Sequence, residues 1–181
     1  MTEIDQAQLG ERTLKTVVYT EDVLRRRIAE LAEEISVAYS EDDRLLVVGL
    51  LKGSFLFMAD LVRQIRLPLQ IDFLVASSYG DKAVSSGTVD LLYDPSADFS
   101  DRTVLIVEDV VDSGTTLEAL IPRLESRGAT RVDVCTLLHK RLPSALYEPR
   151  WVGFDAPNVF LVGYGLDYAE DFRHLPYIAS I

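Results

Sequence analysis

Between Val104 and Leu120 the chain reads VLIVEDVVDSGTTLEAL. An apolar run suited to a buried strand ends in Glu108 and Asp109. A third acid, Asp112, then opens a turn of small and hydroxyl residues, Ser113, Gly114, Thr115 and Thr116. In open α/β sheets ligands bind beyond the carboxyl ends of the strands, so position alone makes Glu108 and Asp109 candidates. The turn after them combines a flexible glycine, hydroxyl donors and a helix N-terminus whose free N–H groups and dipole favour a phosphate. The carboxylates cannot serve that same anion. A ligand with a phosphate at one end and hydroxyls or a bound cation near the acids satisfies both halves, and a ribose 5-phosphate is such a ligand. Taken singly, Asp112 or Ser113 could be a helix cap and Glu108-Asp109 a solvated turn. Gathered in one strand-to-helix turn, they point to a site.

The surrounding sequence supplies the elements that would hold this turn. Thr20 followed by Glu21 and Asp22 suits a helix start, and Leu24, Ile28, Leu31 and Ile35 form an apolar stripe at helical spacing. RLLVVGLL from Arg44 predicts a strand ending near Gly53, and SFLFMADLVRQI from Ser54 a helix. QIDFLVASSYG from Gln70 predicts a strand entering a loop, DKAVSSGT is rich in turn residues, and TVDLLY from Thr88 suits another strand. The opening stretch predicts a strand from Thr103 to about Glu108 and a helix from about Thr115 to Arg127, closed by Gly128. RVDVCTLL from Arg131, WVGF and VFLVGYG are the remaining strand candidates. Apolar strands alternating with helices predict an α/β domain with a mostly parallel central sheet covered on both faces.

Composition limits what such a domain can do. The 181 residues, 48% hydrophobic, suit one domain, 1-181, with a sizeable core. A net charge of −11 argues against nucleic acid or anionic lipid as a partner. No apolar run reaches the roughly 20 residues of a membrane span, and the polar start MTEIDQAQLGERT lacks the order of a secretory signal, so a cytoplasmic protein is expected. Cys135, the single cysteine, and Trp151 read as packing residues.

VLIVEDVVDSGTTL resembles the phosphoribosyl-pyrophosphate binding motif of the purine phosphoribosyltransferases. Three further segments, LLKGSF at Leu50 to Phe55, SSYG at Ser77 to Gly80 and VGYGLDYAEDFRHLPYI from Val162, are similar to the hypoxanthine(-guanine) phosphoribosyltransferases within that family. The resemblance implies a type I phosphoribosyltransferase fold, with helices flanking the sheet and a small hood formed by the terminal segments. It also implies Mg²⁺-dependent transfer of a 5-phosphoribosyl group from phosphoribosyl pyrophosphate to N9 of a 6-oxopurine, hypoxanthine or guanine, in a homodimer or homotetramer.

Carried over by residue, the resemblance makes Glu108 and Asp109 holders of the ribose hydroxyls, directly or through Mg²⁺, and Asp112 the acid-base group facing the purine. Ser113, Gly114, Thr115 and Thr116 would wrap the 5-phosphate. The turn Leu51-Lys52-Gly53-Ser54, with a non-proline cis peptide at Leu51-Lys52, would bind pyrophosphate together with Arg173. Lys140 would donate to the purine 6-oxygen, Phe160 would stack on the base, and Leu161 would offer its backbone to the base edge. Asp167 would hold a Mg²⁺, and Ser78 and Tyr79 would belong to a loop that closes over the site. Each has an ordinary competitor, with Phe160 suiting a core and Lys140 and Arg173 suiting a solvated surface. The strand after SSYG, VDLLYDPSAD, lacks the basic residues common in the family. Two rival readings are a regulator that senses phosphoribosyl pyrophosphate on the same fold and a xanthine-preferring enzyme.

Overall fold

The computed structural model describes residues 14–77, 90–93 and 95–181. Six strands form the central sheet in the order β4-β3-β2-β5-β6-β7: β2 (Leu46–Leu51), β3 (Gln70–Ser77), β4 (Asp90–Tyr93), β5 (Arg102–Val111), β6 (Ala129–His139) and β7 (Trp151–Asp155). All neighbours are parallel except β4, which runs antiparallel to β3 at one edge. Both faces of the central strands β2, β5 and β6 are buried over most of their length, which is why they read as continuous apolar runs. On one face Leu45, Val47, Leu105, Val107, Cys135 and Leu137 pack with α1 (Glu21–Ala38) and α2 (Phe55–Val62). On the other, Leu46, Val48, Val104, Ile106 and Val134 pack with Leu117, Leu120 and Leu124 of α3 (Thr115–Ser126).

Local signals set the helices. Thr20 caps α1, its Oγ1 accepting from Val23 N–H at 3.4 Å, and the predicted stripe Leu24, Ile28, Leu31 and Ile35 is buried. Arg27 of α1 donates to the carbonyls of Val152 and Gly153, which holds the helix over the edge strand β7. Gly114 is left-handed at the start of α3, and Gly128, with φ 98°, follows its end. Cys135 is fully buried and burial pushes its thiol well up, so it packs as a small hydrophobe. Trp151 is buried edge-on to Tyr39, with ring centroids 5.5 Å apart.

Two strand bounds differ from expectation, and the expected hood takes the form of a second sheet. The strand expected to end near Glu108 continues to Val111, because β6 pairs with it as far as Val111↔His139. β6 begins at Ala129, ahead of the expected Arg131. A second sheet, β1-β9-β8, joins β1 (Thr16–Tyr19), β8 (Leu161–Val162) and β9 (Ile178–Ser180) in antiparallel order, and it forms the hood from the two ends of the described chain. β1 and β9, which fall outside the strand candidates, are too short to carry a readable periodicity. Among the described residues no helix is long and apolar enough to cross a membrane.

Candidate active site

β2 marks the switch point of the sheet, with β3 on one side and β5 on the other. Its pairing with β5 ends at Gly49↔Val107, yet it continues with β3 to Leu51↔Val75, while β5 continues with β6. The two strands therefore part at their carboxyl ends, where ligands bind in open α/β sheets. The turn after β2, the acids of β5 and the loop before α3 all meet at this gap.

Glu108 and Asp109 lie within β5 beyond the point where β2 leaves. The Glu108 Oε2 is buried and has no hydrogen-bond partner among the described residues. Burial, helped by the negative charge of Asp109, pushes the Glu108 carboxyl up to about 8. Burial also lifts Asp109 above the usual carboxylate range, against the pull of its own and Val110's N–H groups and of Arg173. Gly53 lies so close that a Cβ there would come within 1.9 Å of Asp109 Oδ2. Only a residue without a side chain lets the turn reach this carboxylate.

That turn carries a cis peptide at Leu51-Lys52, as the sequence resemblance implies. The N–H groups of Lys52 and Gly53 have no acceptor among the described residues. Lys52 Nζ pairs with Glu170 Oε2 at 2.9 Å. Arg173 is fixed from three sides: Nη1 donates to the Gly165 carbonyl at 2.7 Å, and Nη2 pairs with Asp167 Oδ1 at 2.8 Å and Glu170 Oε1 at 3.5 Å. Its Nε is buried without an acceptor among the described residues. Lys52, Gly53, Asp109, Asp167 and Arg173 are thus one electrostatic unit, with Glu170 as a member that sequence reasoning missed.

The loop before α3 is built locally. Ser113 Oγ and Thr115 Oγ1 are 2.9 Å apart, and Thr115 N–H donates to Ser113 Oγ at 3.4 Å. The first backbone bond into the helix is Glu118 N–H to Gly114 O, at 2.9 Å, which leaves the earlier donors outside the helical ladder. Gly114 has φ 79°, and a Cβ there would lie 2.9 Å from the Tyr147 nitrogen. The segment after β6 covers this loop, with Leu146 N–H donating to Ser113 O at 2.8 Å.

Asp112 is exposed and its Oδ2 pairs with Lys140 Nζ at 2.7 Å. Lys140 also lines a cavity of about 460 Å³ with Asp109, Phe160, Leu161 and Asp167, and with Val110, Leu138 and Leu166, which the sequence reading did not include. Phe160 is 55% exposed, so its place is the cavity wall and not the core. Tyr168 meets it edge-on at 5.7 Å, another neighbour not foreseen. Ser78 and Tyr79 lie outside the described residues. A larger cavity, about 630 Å³, is lined by α1, α2 and residues such as Tyr164 and His174, and holds none of the predicted site residues.

No group of three or more His, Cys, Asp or Glu among the described residues could form a metal cage. Mg²⁺ commonly binds through one or two carboxylates plus substrate phosphates and water, and the orphan oxygen of Glu108 beside Asp109 suits that mode.

Comparison with known proteins agrees with this geometry. Residues 19–169 match the family described as the phosphoribosyl transferase domain. The chain is 46% identical to the hypoxanthine-guanine phosphoribosyltransferase of Mycobacterium tuberculosis, over 97% of this chain and 90% of that protein. It is 45% identical to the hypoxanthine phosphoribosyltransferase of Haemophilus influenzae, over 91% and 94%. A crystal structure of a Staphylococcus aureus hypoxanthine phosphoribosyltransferase superimposes with a TM-score of 0.87 at 39% identity, over 93% of this chain and 91% of that one. With the type I sheet, the hood and the site loops in place, the chain belongs to the phosphoribosyltransferase family, among the hypoxanthine(-guanine) phosphoribosyltransferases.

Proposed function

We propose that this enzyme transfers the 5-phosphoribosyl group of phosphoribosyl pyrophosphate to N9 of hypoxanthine or guanine, with Mg²⁺, releasing pyrophosphate in purine salvage. The observation that carries the reading is one crevice in which an anion-binding loop, two partly buried acids and the cations Lys52 and Arg173, bridged by Glu170, adjoin a cavity that shares Asp109 and Lys140. The reading extends to a cytoplasmic enzyme of identical subunits, as a dimer or tetramer.

In this reading the first-turn N–H groups of α3 and the hydroxyls of Ser113, Thr115 and Thr116 hold the 5-phosphate, which stays bound throughout. Glu108 and Asp109 take the ribose 2′- and 3′-hydroxyls, and with Asp167 they are the residues that would hold Mg²⁺. Bound Mg²⁺ would supply positive charge to the pyrophosphate oxygens. As the C1–oxygen bond to pyrophosphate breaks, negative charge grows on the leaving group, where Lys52, the Lys52 and Gly53 N–H groups and Arg173 meet it. N9 of the purine forms the new bond to C1, and the imidazole-ring proton passes to Asp112. Phe160 stacks on the base. Lys140, released from Asp112 as the purine arrives, donates to the 6-oxygen.

The test is to supply phosphoribosyl pyrophosphate, Mg²⁺ and each purine in turn, and to detect nucleotide. Hypoxanthine and guanine should give product, and adenine little. A lysine donor matches a 6-oxo group but would leave adenine's amino donor unpaired. Equal turnover of adenine would remove Lys140 from base recognition, and xanthine as the best substrate would support the xanthine-preferring alternative.

A further inference from the structure

We propose that Glu170 is a positioning residue that stands in for the pyrophosphate anion, holding Lys52 beside the fixed Arg173 between turnovers and yielding both to the ligand. This rests on reading those two cations as the pyrophosphate subsite. Lys52 and Arg173 come from opposite ends of the fold, and like charges brought together repel unless an anion lies between them. The Glu170 carboxylate is that anion. One oxygen pairs with Lys52 Nζ at 2.9 Å, and the other lies 3.5 Å from Arg173 Nη2.

The local backbone puts it there. Ala169, Glu170 and Phe172 have φ of 52°, 69° and 74°, in the left-handed region that side chains rarely occupy. Tyr168 and Asp171 exchange backbone hydrogen bonds at 3.2 Å across this turn, and Glu170 N–H donates to Asp167 Oδ2 at 2.9 Å. The turn thus folds back and returns the Glu170 side chain over the cis turn, 118 residues away in sequence.

Mobility is divided unequally among the partners. Arg173 is 19% exposed and tied to Gly165 O and Asp167, whereas the side chains of Glu170 and Lys52 are each 65% exposed. An arriving polyanion can therefore displace the carboxylate into solvent while Arg173 stays where it is. A pair this exposed holds weakly enough to be exchanged.

The experiment is calorimetric titration of inorganic pyrophosphate, with Mg²⁺, into the wild type, Glu170→Gln and Glu170→Asp, at low and high ionic strength, alongside steady-state kinetics. Glu170→Gln keeps the shape and removes the competing charge. Pyrophosphate should bind it about threefold to tenfold more tightly at low salt, and the gain should shrink as salt screens it. KM for phosphoribosyl pyrophosphate should fall, and kcat should fall with it as product leaves more slowly. Glu170→Asp, one methylene short of bridging both cations, should lie between. Unchanged or weaker binding by Glu170→Gln would overturn the placeholder role, because a merely structural role predicts loss. Failure of the wild type to bind pyrophosphate would overturn the subsite itself.

Discussion

The loop from Asp112 to Thr116 and the turn from Leu51 to Ser54 both offer N–H groups to an anion, but they are assembled in opposite ways. The first is local: a left-handed Gly114, two hydroxyls in contact and the start of α3, all within a few residues. The second is long-range. Gly53 rests on Asp109 of β5, and Lys52 is bridged to Arg173 by Glu170 from the far end of the chain. In the proposed reaction the local loop holds the phosphate that stays, through neutral donors that need no counter-charge. The long-range turn receives the anion that leaves, and there charge must appear during reaction and be released afterwards.

Asp112 tests where the two kinds of construction meet, since it opens the local loop yet pairs with Lys140, 28 residues on. Asp112→Asn keeps the shape but cannot accept the purine proton. Turnover should fall by about 10²–10⁴ while phosphoribosyl pyrophosphate binding, measured calorimetrically, is retained. An unchanged kcat would leave Asp112 as part of the loop only.

Glu108 probes the cost of the long-range side. Its carboxyl titrates at about 8 when folded, against 4.5 for the ordinary group. Because the folded value is the higher, the folded state binds the extra proton. The stability it contributes is present below about 4.5 and is lost as pH rises through about 8. Glu108→Gln removes that dependence. Thermal melts should match the wild type near pH 4.5, favour the variant increasingly up to about pH 8 and level off above it, by on the order of a few kcal/mol. Parallel pH curves for the two proteins would mean that Glu108 ionises freely in the folded state.

The smallest effect belongs to the local loop. Gly114→Ala forces a side chain onto a φ of 79° and within 2.9 Å of the Tyr147 nitrogen. Denaturant unfolding should show a loss of about 1–3 kcal/mol, with weakened binding of phosphoribosyl pyrophosphate. A neutral outcome would show that the loop tolerates another backbone and that the contrast between the two cradles is overstated.

Much of this protein was legible as sequence wherever the determining forces act over a few residues. The cap at Thr20 and its apolar stripe, the doubly buried strands, and the Ser113-to-Thr116 turn running into a helix follow from side-chain periodicity, capping and the freedom of glycine. The acids of β5 were visible as candidates, but their burial was not. Whether Glu108 and Asp109 end a strand or lie inside one depends on β2 leaving β5 at Gly49 while β6 continues to Val111. Phe160 in VFLVG reads from the sequence first as core, and the tertiary structure instead leaves it exposed at the cavity wall. The Asp112-Lys140 pair, the Glu170 bridge and the pairing of β1 with β9 join residues with no local signal of each other. The helices, the long strands and the local phosphate loop are written in the order of residues, because dihedral preference, capping and burial period act within one or two turns of chain. Which distant charges meet, and how far each is desolvated, follows from the fold, since electrostatic pairing depends on separation in space and on the water that packing excludes.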